Sequence, residues 1–247
     1  MNNNWFTIPK PNPMAVQRLF CFPYAGGSTP IYRKWVNQLP SEVELCLIQL
    51  PGRDRRITEP LFTDIMALAE AIAQAIMTYS DKPFGFLGHS LGATTCFEVA
   101  CALRRYKAQE PTRLLVSGSR APHMPRIVPS IYHLPETEFI AALKRLGGTP
   151  AEVWQYPELI AMFMPILRAD LTMSETYQAT PAVMPALDCP ITVFGGTQDP
   201  RTNDENLQAW QELTSAQFTL YMVSGGHFFP WDDPAPFLAR LSAVLRN

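Results

Sequence analysis

The chemistry this sequence could perform centres on one serine. The segment Gly88-His89-Ser90-Leu91-Gly92 follows the apolar run from Phe84 to Leu87 and precedes a helical pattern from Ala93 to Leu103. This is the strand, sharp turn and helix that a G-x-S-x-G elbow requires. The glycines let strand and helix approach while the hydroxyl projects from the sheet, and the helix N-terminus adds a positive partial charge. We predict that Ser90 is a nucleophile; the alternative is an ordinary serine in a glycine-bounded turn.

A serine hydroxyl attacks only when a neighbouring base removes its proton, so a histidine is needed within hydrogen-bond reach. His227 lies in Gly225-Gly226-His227-Phe228-Phe229, just after the last predicted strand. The glycine pair allows its ring to fold over the end of the sheet, and His227 is the predicted base. The turn should direct His89 away from the hydroxyl, which favours a packing role. Solvated or structural roles are expected for His123 and His133.

A carboxylate must then orient the histidine and stabilise the imidazolium. Asp199 lies in the loop that leaves the predicted strand ending at Gly196, and α/β folds place catalysts at that edge of the sheet. We predict that Asp199 is the acid. The alternatives are Asp204, which could cap the next helix, and Asp232 or Asp233, which better suit a helix start.

Attack on a carbonyl also requires donors for the developing oxyanion. The backbone N–H of Leu91, the residue after the nucleophile, is one candidate. The second should come from an early loop, and Phe22-Pro23-Tyr24-Ala25-Gly26-Gly27 follows the first predicted strand. We predict the N–H of Ala25; the alternative is a plain turn after a strand.

These residues need a sheet to position them. Short β-rich runs alternate with helical patterns, which predicts a mostly parallel sheet flanked by helices. One helical pattern covers Asp64 to Tyr79, and Asp233-Pro234 should open a C-terminal helix. The predicted strands are Val16–Phe22, Val43–Leu50, Phe84–Gly88, Arg113–Gly118, Ile191–Gly196 and Gln217–Val223.

One interval breaks this rhythm. About seventy residues separate the strands ending near Gly118 and beginning near Ile191, far more than a simple crossover needs. It contains helical patterns at Glu136–Leu146 and from Pro157 through Leu171. We predict one domain over residues 1–247, with residues 122–188 inserted as a helical lid. Methionines and a phenylalanine in this segment either accommodate a variable acyl chain or only pack the insert onto the body: Met162, Phe163, Met164, Met173 and Met184.

Composition narrows the function classes. The chain has 247 residues, 47% of them apolar, with 20 basic and 22 acidic side chains, so a nucleic-acid partner is not expected. No export signal and no apolar run of roughly 18 residues is recognised, which predicts a cytoplasmic protein without a membrane partner.

Metal chemistry is not expected either. There is no CxxC or HExxH pattern and the four histidines are scattered. Buried, reduced thiols are predicted for the five cysteines, Cys21, Cys46, Cys96, Cys101 and Cys189.

Taken together, the motifs resemble the type II thioesterases of non-ribosomal peptide and polyketide synthases, members of the α/β-hydrolase superfamily. The resemblance covers nearly the whole chain. It is carried by Phe22–Gly27, Gln49-Leu50-Pro51-Gly52-Arg53, Gly88–Gly92, Ser117-Gly118 with Ala121-Pro122, Gly195–Asp199 and Gly226-His227-Phe228.

The resemblance implies a stand-alone hydrolase that releases aberrant or stalled acyl groups from the phosphopantetheine arm of a carrier protein. By motif position, Ser90, Asp199 and His227 match the family triad, and Ala25 and Leu91 match its oxyanion donors. It implies acyl or peptidyl carrier proteins as partners and no cofactor of its own; we also expect a monomer. The cluster of Arg53, Arg55 and Arg56 could meet an acidic carrier or could simply be a solvated face.

Three other functions remain open at this stage. A carboxylesterase or lipase uses the same triad on oxygen esters, and an acyltransferase or macrocyclase passes the same acyl-enzyme to an alcohol or amine. A non-catalytic binding scaffold would show a broken triad. All three predicted triad residues are present, and a short chain without a carrier domain favours hydrolysis.

Overall fold

The computed structural model describes residues 4–149, 151–179 and 186–246. Within these residues a seven-stranded sheet forms the centre. Its strands are β1 (Phe6–Thr7), β2 (Gln17–Phe22), β3 (Val43–Ile48), β4 (Phe84–His89), β5 (Leu114–Ser117), β6 (Ile191–Gly196) and β7 (Phe218–Val223). Their order is β1-β3-β2-β4-β5-β6-β7; β1 is antiparallel to β3, and the other pairs are parallel.

The helices include the crossovers between these strands and a separate pair between β5 and β6. Asp64 caps the first helix by accepting from the N–H of Met66 at 2.7 Å. No helix in the described ranges has the length and apolarity needed to cross a membrane. The α-helices are α1 (Ile65–Met77), α2 (Leu91–Arg105), α3 (Glu136–Leu146), α4 (Pro157–Thr176), α5 (Asp204–Gln208), α6 (Phe229–Asp232) and α7 (Pro234–Arg246).

Both faces of the sheet are covered, because successive strand side chains point to opposite faces. In β2, Phe20 and Phe22 join a core with α1 and α2, whereas Leu19 and Cys21 join a second core with α7. Strands buried on both faces read as continuous apolar runs rather than as alternating ones. For this reason the strands were visible in the sequence.

The six predicted strands and the helical patterns are confirmed, with shifts at their ends. β1 was not predicted, because two residues carry no detectable period. α4 extends past Leu171 to Thr176 although Pro165 lies inside it.

The strand order places a crevice between the loops that follow β2 and β4. From β2 the chain continues to β3 on one side, whereas from β4 it continues to β5 on the other side. The loops that follow β2 and β4 therefore diverge, and α/β proteins bind ligands at such a reversal of strand order. Phe22 pairs with Gly88 in register, so both loops begin at the same level of the sheet.

Between β5 and β6, α3 and α4 form a small core of their own. Its buried members are Phe139, Leu143, Met164 and Leu167.

Candidate active site

Ser90 occupies a strained backbone at the turn between β4 and α2. Its φ is 53° and its ψ is −116°, a conformation that costs a residue with a side chain about 1–3 kcal/mol. Its N–H donates to the carbonyl of Ser117 at 2.9 Å, which ties the turn to β5. A Cβ at Gly88 would lie 2.2 Å from the carbonyl oxygen of Gly92. Strand and helix can therefore meet only because Gly88 has no side chain.

The elbow also packs against the loop that carries Ala25. A Cβ at Gly92 would lie 2.2 Å from the carbonyl oxygen of Phe22, at the end of β2. Leu91 begins α2, so its N–H belongs to the first helical turn, where no intrahelical acceptor is available. The two predicted oxyanion donors thus come from neighbouring segments.

His227 and Asp199 form a hydrogen-bonded pair, as predicted. Nδ1 of His227 donates to Oδ2 of Asp199 at 2.7 Å, and the N–H of Arg201 donates to the other carboxylate oxygen at 2.9 Å. Both side chains are buried. A Cβ at Gly196 would lie 2.6 Å from the carbonyl oxygen of Gly226, so the acid and histidine loops are in close contact.

The electrostatics suit a neutral imidazole. Burial lowers the pKa of His227 below its ordinary value; the bond to Asp199 opposes this, and the charge of Arg201 adds to it. A neutral ring with Nδ1 engaged leaves Nε2 to act as a base.

The alternative acids and the other histidines do not belong to the Asp199–His227 pair. Asp204, Asp232 and Asp233 are exposed, and Asn203 rather than Asp204 caps α5. His133 is also exposed.

His123 faces the carboxylate of Glu212, with 3.3 Å between Nε2 and Oε2. His89 has the packing role that was predicted. Its Nδ1 lies 3.0 Å from Oγ of Ser117, and its ring contacts that of His227, with 4.9 Å between centroids.

One cavity is shared by residues of the predicted triad and oxyanion hole. Its volume is about 540 Å³, and Ser90, His227 and Ala25 all line it. The segment between β5 and β6 supplies other parts of the wall, among them Ile131, Leu146 and Leu171. This cavity is called the Ser90 cavity below.

At the described positions, the predicted use of the methionines of residues 122–188 for an acyl chain is not supported, and the packing alternative fits the structure. Met164 belongs to the core of α3 and α4, Met173 belongs to the main core, and Met162 is exposed. Neither these three nor Phe163 lines the Ser90 cavity. Met184 lies outside the described residues.

Both interpretations of the arginine cluster were wrong for two of its members. Arg53 and Arg56 are buried; Arg56 pairs with Glu59 and lies over the ring of Trp5, with 3.9 Å to the centroid. Only Arg55 of the three is exposed. Two buried guanidinium groups cannot form a solvated face or contact a carrier.

Arg53 has a structural role that the sequence analysis missed. Its guanidinium makes two bonds of 2.7 Å to the carboxylate of Asp170 in α4 and one of 3.0 Å to the carbonyl of Gly27. The same carboxylate accepts from the N–H of Gly26 at 2.7 Å. The Arg53–Asp170 pair therefore holds the residues next to Ala25. A single acid between the buried Ile166, Leu167 and Met173 was the signal that could have revealed it.

A second missed feature is the charge of the Ser90 cavity. Arg120, Arg126, Arg145 and Arg201 line it together with Glu175. Single arginines at irregular spacing give no pattern in the sequence.

No metal site is found in the described part of the chain: no three His, Cys, Asp or Glu side chains cluster there. The five cysteines are free and buried, and burial raises the pKa of their thiols.

A mostly parallel sheet with a serine elbow after one strand, and an Asp–His pair after two later strands, is the architecture of the α/β-hydrolases. Within that class, the model of the thioesterase domain matches residues 17–243, and the chain belongs to the thioesterase family. It is an enzyme that acts on thioesters.

Individual relatives support the assignment to the thioesterase family. The gramicidin S biosynthesis protein GrsT of Aneurinibacillus migulanus is 38% identical over 99% of this chain and 94% of its own length. The RedJ thioesterase of the prodiginine pathway of Streptomyces coelicolor is 36% identical with a TM-score of 0.86, covering 98% of this chain and 99% of RedJ. BorB, a type II thioesterase of the borrelidin cluster, is 31% identical with a TM-score of 0.85, covering 98% and 97%. The resemblance to type II thioesterases is confirmed.

Proposed function

We propose that this enzyme hydrolyses acyl groups from the phosphopantetheine arm of carrier proteins and thereby clears aberrant or stalled intermediates in non-ribosomal peptide or polyketide synthesis. The observation that carries the proposal is the buried Asp199–His227 hydrogen bond in a chain whose Ser90 and His227 line one cavity. The similarity to GrsT, RedJ and BorB supports the setting.

The proposed reaction has two halves. Oγ of Ser90 attacks the thioester carbonyl while Nε2 of His227 takes its proton. The C–S bond then breaks, and the carrier thiol leaves with that proton. The N–H groups of Ala25 and Leu91 stabilise the oxyanion, and Asp199 stabilises the imidazolium without taking the proton.

The second half regenerates the enzyme. Water gives a proton to Nε2 of His227, and its oxygen attacks the acyl-serine carbonyl. The ester bond to Ser90 breaks, Oγ recovers the proton from His227, and a free acid leaves. These side chains and N–H groups supply every proton transfer and charge stabilisation, so the reaction as proposed uses no cofactor bound to the chain.

We further propose that residues 122–188 act as a lid. Part of this segment lines the Ser90 cavity, and Asp170 within it bonds to the loop beside Ala25. Movement of this segment would admit the acyl-pantetheine arm.

The proposal is tested by release of a radiolabelled acetyl group from a phosphopantetheinylated carrier protein. The native chain should release it rapidly, Ser90→Ala should not, and the exposed-site control Ser41→Ala should match the native chain. No release from any carrier, together with good turnover of simple oxygen esters, would contradict the carrier-protein function and favour an esterase.

A further inference from the structure

The Ser90 cavity carries more positive than negative charge. Four arginines line it, Arg120, Arg126, Arg145 and Arg201, and Glu175 is the acid among its described lining residues. Arg126 and Glu175 pair at 3.2 Å. The pair offsets one positive charge and leaves Arg120, Arg201 and the exposed Arg145.

Two of the remaining arginines are held by neutral groups. Nη1 of Arg120 donates to the carbonyl oxygens of Ala121 and Pro122 at 3.4 and 3.2 Å, and also to that of Met124. Nη2 of Arg201 donates to the carbonyl oxygen of Leu146, the last residue of α3, at 2.9 Å. Carbonyl acceptors orient a guanidinium but leave its charge in place.

This charge is energetically costly because the guanidinium groups are partly buried. Burial is the main cause that lowers the pKa of Arg120 and Arg201. The charge of Arg126 lowers both further, whereas the carboxylates of Asp199 and Glu175 partly oppose the shift at Arg201. A buried cation whose charge is only partly compensated is unfavourable, and a ligand of opposite charge reduces this penalty. A carboxylate matches the planar fork of a guanidinium best, because it can accept two parallel bonds.

We propose that the arginines of the Ser90 cavity bind an anionic group of the substrate, and that the enzyme therefore prefers acyl chains that end in a carboxylate. This inference rests on the proposed thioesterase function and names its substrate class. We assign the anionic group to the acyl chain of the substrate, because the arginines line the same cavity as Ser90. The other anion on such a substrate is the phosphate of the pantetheine arm.

Four thioesters separate these sources: glutaryl and pentanoyl groups, equal in carbon number, each on pantetheine and on 4′-phosphopantetheine. We expect kcat/KM for glutaryl to exceed that for pentanoyl by about ten-fold or more on both arms, the size of one charge-assisted hydrogen bond. The rates are corrected with Ser90→Ala.

The variants Arg120→Gln and Arg201→Gln identify the groups responsible. The glutaryl-to-pentanoyl ratio should fall towards one in both, and this ratio cancels any general loss of folding or of triad geometry. Arg33→Gln removes an exposed charge outside the cavity lining and should keep the native ratio.

The outcomes are distinct. If kcat/KM is higher on the phosphorylated arm, depends on the arginines and does not depend on the acyl group, the arginines bind an anion, but the carboxylate preference is overturned. A ratio near one on both arms, unchanged in the variants, would overturn the inference while leaving thioester hydrolysis intact. No turnover of any of the four, and none of either acyl group from a loaded carrier protein, would overturn the proposed function together with this inference.

Discussion

The strained backbone of Ser90 predicts an inverted ranking of two substitutions. Alanine at this position keeps the unfavourable φ of 53° and ψ of −116°, whereas glycine adopts such angles freely. Relief of the strain gains about 1–3 kcal/mol, and the greater unfolded-state freedom of glycine costs about 0.5–1 kcal/mol. We therefore expect Ser90→Gly to be more stable than Ser90→Ala by about 1 kcal/mol.

The assay is the free energy of unfolding by urea, and Ser242 in α7 provides the control. In a helix interior glycine is less stable than alanine by about 1 kcal/mol, so the ranking at Ser242 should be the opposite of that at Ser90. Both Ser90 variants should also lack thioester turnover. A Ser90→Gly variant less stable than Ser90→Ala, by as much as at Ser242, would refute the argument that the elbow stores strain.

Three further predictions concern the surroundings of the site. Asp170→Asn should lower the free energy of unfolding by about 3–5 kcal/mol, because the charge of Arg53 stays buried without its partner; a coupling energy below about 1 kcal/mol in the double-mutant cycle with Arg53→Gln would argue against this. Because burial lowers the pKa of His227 below 6.5, the acid limb of the kcat/KM profile should have its midpoint below pH 6.5. Arg201→Gln should move this acid limb to higher pH, and an unmoved limb would contradict the assigned charge effect. Gly26→Ala should reduce kcat and stability, since φ is +77° and the new Cβ would lie 2.5 Å from a leucine of α4; native activity in this variant would show that the loop accommodates a side chain.

Much of the molecule was determined by local patterns in the sequence. Apolar runs of strand length and helical spacing specify backbone conformation within a few residues, so the parallel strands and most helices could be predicted. The elbow around Ser90 is such a local pattern. The pairing of Asp199 with His227 could also be predicted, because both follow parallel strands whose carboxyl ends share one edge of the sheet.

The sequence could not determine which groups pair with the charged side chains. Arg53 and Asp170 are separated by 117 positions, and only the packing of α4 onto the loop beside Ala25 brings them together. The charge of the Ser90 cavity likewise comes from arginines on the segment between β5 and α3, on α3 itself and on the loop after β6. Local periodicity states which faces are apolar, but it does not state which distant polar group meets another. That choice depends on the assembled tertiary structure, because a buried charge is unfavourable unless a distant part of the chain, or a ligand, compensates it.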